Sequence, residues 1–337
     1  MKKKIGLIGV GKMGILHGAL FNRLPNVEVV AMADTSPFVV KIFRSVLPSV
    51  AFYSSYEKML EEKRVDAVII STPSFSHVPI ALRAIAHDVD VFIEKPLSHT
   101  LVSAKDLHAA AKQRQIISMV GYCLRYIPTF AKAREMVQNG AIGKVVRVEA
   151  DMFISDVLAP QHGWRYDPQK SGGGVVMDFG VHMIDLLYWF FGRPETVSAT
   201  TKKLFSERVE DEATISFSFA NALEAHMQTS WSSAEHRKSY SKMKIIGDAG
   251  EIIVTDQTLR ITDAHGHVTD DSYAHMYRGY YFDIGGPHYS VQAQRFAEAI
   301  ESRVNPEADL EAALVVQYLV DSIYRSAATR ASVPLYL

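Results

Sequence analysis

From residue 4 onward, short β-branched runs alternate with stretches whose apolar residues recur at helical spacing: "KIGLIG", "GILHGALFNRL", "VEVVAMAD" and "SPFVVKIFRSV". The alternation resumes in "DAVIIST", "SHVPIALRAIAH", "DVDVFIEKP", "SAKDLHAAAKQR" and "IISMVG". These strand runs are almost continuously apolar, which predicts strands covered on both faces and a doubly wound parallel sheet. After "MVGYCLRYIP" the pattern changes. A helix, "TFAKAREMVQNG", and a strand, "KVVRVEADMF", lead to the loop "QHGWRYDPQKSGGG"; period-two runs then follow, from "ETVSATTKKLF" through "TLRITD". Period two predicts an antiparallel meander with one buried face. Two helical stretches, "SVQAQRFAEAIES" and "LEAALVVQYLVDSIYRSA", come last. The expected fold is α/β over residues 1–122, followed by an α+β domain with a mostly antiparallel sheet over 123–337.

Composition narrows the partners. The 337 residues suit two domains, and a formal net charge of -1 with no long single-sign block gives no footprint for nucleic acid. No run approaches the roughly 18 apolar residues that span a bilayer, so no membrane partner is expected. The basic start "MKKK" precedes an apolar stretch that glycines interrupt at once, which reads as a first strand rather than a secretion signal. A single cysteine, Cys123, excludes intrachain disulfides, and a reducing cytoplasmic setting is the default expectation.

The chemistry begins at the first turn. Gly9, Gly11 and Gly14 form G-x-G-x-x-G, with Lys12 and Met13 inside it, after a strand and at the opening of a helix. Asp34 follows at the end of the second strand, twenty residues beyond Gly14. That context is the one a dinucleotide site requires: one glycine turns the chain, one admits the pyrophosphate to the backbone, and one lets helix and strand pack closely. A carboxylate at Asp34 accepts from both hydroxyls of an adenine ribose and repels a 2'-phosphate, so NAD is expected over NADP. Ser71, Thr72 and Pro73, and then Glu94 and Lys95, stand at the ends of two later strands, the edge at which open α/β sheets bind ligands. Glu94 and Lys95 read either as an exposed ion pair or as a pair turned toward the cofactor crevice.

The stretch "GGGVVMDFGVHMIDLL", Gly172 to Leu187, sets three ionisable groups in an apolar helix. Asp178 and His182 are four residues apart and share a helical face; Asp185 lies a further turn along. Other histidines take plainer readings. His265 and His267 form His-x-His in a turn with no third ligand near in sequence, and no metal is expected. His17, His77, His87 and His108 lie on or beside helices, where a packed or surface histidine is ordinary. The segment "YAHMYRGYYFDIGGPHY", with Tyr277, Arg278 and His288, reads as pocket lining, a mobile loop or a subunit contact.

Taken together, the N-terminal G-x-G-x-x-G, the "TP" with His77 five residues after Thr72, the "EKP" at 94–96, "GYCLRYIP" and "SGGGVVMDFGVHMIDLL" resemble the glucose-fructose oxidoreductase, inositol dehydrogenase and MocA family. The resemblance covers nearly the whole chain and is thinnest over 265–290. It implies an N-terminal Rossmann domain that binds NAD, and a C-terminal domain whose open-faced sheet mediates dimer or tetramer formation. It also implies hydride transfer between a nicotinamide and a sugar, inositol or related polyol. Carried over by position, it makes Lys95, Asp178 and His182 the catalytic group, and His77 and Glu94 part of the cofactor-binding set. His182 is then the base for the hydroxyl proton, Asp178 orients or stabilises the imidazole, and Lys95 holds the substrate oxygen; which of Lys95 and His182 takes the proton first stays open. Arg125, Tyr126, Trp164, Arg165 and Asp167 are candidates for hydroxyl or ring contacts, or else for packing between domains. Asp185 reads as structural. Two other functions fit such a chain: an NAD-dependent glycosidase working by transient oxidation, and a dinucleotide-sensing regulator without turnover, which would lack a complete catalytic set.

Overall fold

The structure is a computed structural model that describes residues 2–62, 65–273 and 286–336. It divides into two compact units, Met1–Tyr122 with Ile284–Gln317, and Cys123–Asp283 with Tyr318–Leu337. The chain leaves the first unit after residue 122, later returns to it and ends in the second.

In the first unit β1 (Lys3–Ile8), β2 (Val27–Ala33), β3 (Ala51–Tyr53), β4 (Ala67–Ile70), β5 (Asp90–Ile93) and β6 (Ser118–Val120) form one sheet in the order β3-β2-β1-β4-β5-β6. Every described pairing within it is parallel. All residues of β4 and β5 are buried, as their unbroken apolar runs require when helices cover both faces. Between the strands lie α1 (Lys12–Phe21), α2 (Pro37–Val46), α3 (Tyr56–Glu61), α4 (His77–Ala86) and α5 (Leu101–Gln113). The sheet order reverses between β1 and β4, which puts the ligand crevice of such folds at the carboxyl ends of those strands. The β3 and α3 elements had no legible period in the sequence, because three and six residues are too few to display one.

The second unit opens with α6 (Pro128–Gln138) and β7 (Val145–Phe153), then a short helix α7 (Pro168–Ser171), a π-helical turn over Val176–Gly180 and α8 (Val181–Phe191). The strands β8 (Thr196–Lys202), β9 (Glu212–Ser218), β10 (Glu224–Ser230), β11 (Tyr240–Gly247), β12 (Gly250–Thr255), β13 (Thr258–Asp263) and β14 (Val268–Ser272) follow. With β15 (Val333–Pro334) they form a sheet in the order β14-β13-β12-β11-β7-β10-β9-β8-β15. Its described pairings are antiparallel except β7 with β10, which run parallel. Burial alternates along β9, β10 and β11, so one face is covered and the other open. By length and composition Pro168–Phe191 could cross a membrane, but 72% of its apolar window is buried inside the protein, which marks a core helix.

The remaining helices are α9 (Pro287–Ser302), in the first unit, and α10 (Leu310–Thr329), which begins in the first unit and ends in the second. Helix α9 and the segment after it pack on the parallel sheet and close its β6 edge. Phe296 packs on Phe92 and Phe21 with ring centroids 5.6 and 6.1 Å apart, and Val120 N donates to the Ala308 carbonyl at 2.7 Å.

Candidate active site

The glycine turn is built as dinucleotide chemistry needs it. Gly9 has φ +86°, the left-handed region, and a Cβ there would lie 2.9 Å from the Ser71 carbonyl oxygen. At Gly14 a Cβ would lie 2.0 Å from the Gly9 carbonyl oxygen, so only glycine lets α1 approach the turn. Gly11 differs: among the described residues a Cβ there would meet nothing within 4 Å. No contact with a described residue demands a glycine at that position, and a pyrophosphate drawn against the backbone would. Gly11 also caps α1 without any side-chain bond, so the first amides, those of Lys12 and Met13 among them, have no intrahelical acceptor and are donors for an anion. The residues therefore fit NAD.

Asp34 stands where the ribose of that cofactor is expected. Its Oδ2 accepts from Val10 N and its Oδ1 from Ser36 N, both at 2.8 Å, which ties the end of β2 to the glycine turn. Each oxygen keeps a second lone pair for a ribose hydroxyl. Ser71 Oγ donates to the Gly9 carbonyl at 2.8 Å, and Thr72 Oγ1 accepts from Ser76 Oγ at 2.8 Å. Pro73 turns the chain into α4, its carbonyl accepting from Ser76 Oγ at 2.7 Å.

Two expected cofactor contacts take different work. His77 is buried, with Nε2 2.8 Å from the Thr72 carbonyl oxygen and Nδ1 2.9 Å from that of Pro96. His77 thus lies between the carbonyls of two loops, and the neutral ring donates to one of them. Burial pushes its pKa down, against the pull of those two carbonyls. Glu94 is not an exposed residue. It is buried, its Oε1 lies 2.6 Å from His17 Nε2 on α1, and its Oε2 accepts from Lys95 N at 3.1 Å. His17, given only a packing role from sequence, therefore joins the glycine helix to the loop of Lys95. Lys95 itself is half-buried and precedes Pro96 through a cis peptide.

In the second unit the three glycines of the stretch lie in bends, and a continuous helical segment runs from Val175, with its first turn π rather than α. Asp178 and His182 are separated by a π-to-α junction instead of a single α turn. Such π turns are frequent at functional sites. Arg165 donates to Asp178 Oδ2 through Nε at 2.9 Å and Nη2 at 2.5 Å, and to Asp156 Oδ2 through Nη1 at 2.6 Å. Burial alone would lower the Arg165 pKa, but the two carboxylates outweigh it and hold the guanidinium above its ordinary value. Below it lies Trp231, with Arg165 Cζ 5.2 Å from the ring centroid. Arg165 is thus committed to Asp178, and its expected role in touching substrate becomes one of holding a carboxylate.

Arg125 is likewise not available. It is buried and donates to Asp185 as a fork, Nε to Oδ2 at 2.8 Å and Nη2 to Oδ1 at 2.5 Å. Asp185 is structural, as expected, and Arg125 is its partner. Burial raises the Asp185 pKa even against that guanidinium. Asp167 caps α7 and pairs with Arg208 at 2.9 Å. Trp164, 37% exposed, and half-buried Tyr126 keep surface for a ligand. Tyr277 and Arg278 lie outside the described residues. His267 Nδ1 is 3.0 Å from Asp263 Oδ2 within the β13–β14 turn, and no metal-holding group of three His, Cys, Asp or Glu occurs among the described residues.

Sequence reasoning missed the groups that hold the helix start. Glu210, buried, accepts from Gly174 N at 3.0 and 2.9 Å and from Val176 N at 3.0 Å, and Tyr324 Oη donates to it at 2.8 Å. Asp211, next in the chain, accepts from Trp231 Nε1 at 2.6 Å and from the amides of Leu204, Phe205 and Ser206. Their only sequence signal is a pair of adjacent acids, "VEDEA", at the entry to a period-two strand.

Known proteins agree with this anatomy. Residues 3–122 match the family profile described as "Oxidoreductase family, NAD-binding Rossmann fold", and residues 130–253 that described as "GFO/IDH/MocA C-terminal domain". The scyllo-inositol 2-dehydrogenase (NAD(+)) of Bacillus subtilis is 26% identical over 317 residues, 90% of this chain and 87% of that protein. The rhizopine catabolism protein MocA of Rhizobium meliloti is 28% identical over 211 residues, 62% of this chain. The chain spans 64% of the length of MocA, just under two thirds, and the same share of another curated relative. Among solved structures, a levoglucosan dehydrogenase in complex with NADH shares the fold, with TM-score 0.89 at 22% identity over 99% of both chains.

Proposed function

We propose, for a chain that belongs to the Gfo/Idh/MocA oxidoreductase family and carries its NAD-binding Rossmann fold, that it is a dehydrogenase moving hydride between NAD and a secondary alcohol or ketone of a sugar, inositol or related polyol. The observation that carries this reading is Asp178 at the start of one helix with buried His182, its carboxylate gripped twice by Arg165. The scyllo-inositol and levoglucosan dehydrogenases among the relatives support the polyol class.

NAD supplies the hydride acceptor. The chain's own residues manage the proton. In the oxidative direction unprotonated His182 takes the proton of the substrate hydroxyl and becomes imidazolium, while Asp178 stabilises that charge. Lys95, a donor just after β5, is suited to hold a substrate oxygen and to stabilise the negative charge left on it when its proton is removed. Arg165 holds the Asp178 carboxylate through two hydrogen bonds to Oδ2. We also propose that copies of the chain associate through the open face of the antiparallel sheet.

Inositols, anhydro-sugars, aldoses and sugar acids, each offered with NAD and followed by NADH absorbance, test the class. Turnover is expected with at least one neutral polyol. His182→Ala and Lys95→Met are expected to keep NAD affinity and to lose about 100-fold or more in kcat. Full activity in either variant overturns the assignment of roles, and aryl glycoside hydrolysis without net NAD reduction overturns the dehydrogenase reading.

A further inference from the structure

We infer that Glu210, acting with Tyr324, is a positioning residue for the proposed hydride transfer: it fixes where the helix bearing Asp178 and His182 begins. This inference rests on the dehydrogenase reading above. A helix leaves its first four amides without intrahelical acceptors, and a Ser, Thr or Asp just before the helix usually takes one of them. Here the preceding residues are glycines, and all of those amides go to two distant residues. Gly174 N and Val176 N donate to the Glu210 carboxylate, Val175 N donates to the Glu210 carbonyl at 2.9 Å, and Met177 N donates to Tyr324 Oη at 3.2 Å. The next amide, that of Asp178, makes the first bond of the helix itself, to the Gly174 carbonyl at 3.0 Å.

The glycines make this clamp possible. A Cβ on Gly173 would lie 1.9 Å from Tyr324 Oη, and one on Gly174 would lie 2.1 Å from the Glu210 carbonyl oxygen. A buried carboxylate is costly to desolvate, and burial pushes the Glu210 carboxyl up even though its hydrogen bonds pull it down. A serine before the helix would satisfy one of these amides without that cost. What the distant carboxylate adds is a fixed reference point. From Glu210 the contacts run through the helix amides to Asp178, whose carboxylate Arg165 grips, and Arg165 lies on Trp231. Trp231 Nε1 donates to Asp211, which adjoins Glu210 in the chain. The ring of contacts is closed, and it holds the backbone and the carboxylate of Asp178 from opposite sides.

Glu210→Gln and Tyr324→Phe in the full chain test this. In Glu210→Gln the side-chain oxygen can still accept at the Oε1 position, but the NH2 stands where Oε2 accepts from Gly174 N, so the clamp is strained at the helix start; Tyr324→Phe removes one link and leaves the carboxylate. For each variant kcat is measured per subunit that binds NADH, with the KM for polyol and the Kd for NADH alongside. Positioning requires kcat per NADH-binding subunit to fall about tenfold or more in Glu210→Gln and about threefold or more in Tyr324→Phe, with KM and Kd within about twofold. A purely structural role would reduce the competent fraction and leave kcat per competent subunit unchanged, which overturns the inference. If Glu210→Gln does not fold, Tyr324→Phe decides alone by the same thresholds. Wild-type kcat in both variants beside an inactive His182→Ala sinks Glu210 only; an active His182→Ala sinks the assignment of roles, and absence of NAD reduction with every polyol sinks the dehydrogenase reading itself.

Discussion

Glu210 and Asp211 are adjacent, both buried, and shifted in opposite directions. Burial raises Glu210. At Asp211 burial also acts to raise the pKa, but hydrogen bonds from Ser206 and Trp231 outweigh it and the carboxyl lies below its ordinary value. The sign for stability follows. A folded-state pKa below the unfolded value of about 3.9 means Asp211 stabilises the fold fully above that pH and ceases to do so as pH falls through its folded pKa. Urea melts from about pH 3 to about pH 7 are expected to show Asp211→Asn less stable at neutral pH by about 2 kcal/mol, with a flatter acid limb than wild type. An unchanged acid limb would remove Asp211 from the account of the 203–211 loop. The Arg125–Asp185 fork carries the same lesson at a buried pair: two residues that read as separate candidates in sequence satisfy each other.

At the scale of an element, the two glycine-rich segments obey different constraints. Among the described residues Gly11 faces no neighbouring atom and Gly173 faces the Tyr324 hydroxyl. Gly11→Ala is therefore expected to melt like wild type and to bind NAD at least about tenfold more weakly. Gly173→Ala is expected to lose about 2 kcal/mol or more of stability because the tyrosine must move. Calorimetry paired with NADH titration separates the two, and equal effects on both quantities would refute the distinction. The contrast also marks how far a sequence can be read. Gly9, Gly11, Gly14, Asp34, Asp178 and His182 were legible because their spacing is local and helices and turns impose it. The π turn at Val176–Gly180 was not, since an apolar run carries the same letters under α or π hydrogen bonding. Glu210 and Tyr324 reach the helix start across 36 and 147 residues, a separation that leaves no period to detect. His77 and Arg125 showed the right chemistry at the right place, but only coordinates reveal that backbone carbonyls and Asp185 already use their donors.

At the scale of the whole molecule, the open face of the nine-strand sheet bears on the state of assembly. Thr200, Thr214 and Gln228 lie in register across β8, β9 and β10, all exposed and uncharged. The row continues into Asp151 and Lys242, so a second copy docking over β8, β9 and β10 meets uncharged side chains and avoids desolvating that charged pair. Sedimentation is expected to show oligomers for the wild type and a shift toward monomer for Thr214→Lys, with NADH affinity intact. A wild-type monomer at micromolar concentration would end that proposal.

The return of the chain to its first unit has a consequence for how the protein is made. The glycine turn and all six parallel strands lie within the first 122 residues, yet Arg303 pairs with Asp90, Asn305 Oδ1 accepts from Ser118 N, and Phe296 covers Phe21 and Phe92. A ribosome therefore releases the dinucleotide sheet long before the residues that seal its edge. The nascent chain thus carries an uncapped β6 and an uncovered phenylalanine cluster until residues 296–308 have been made.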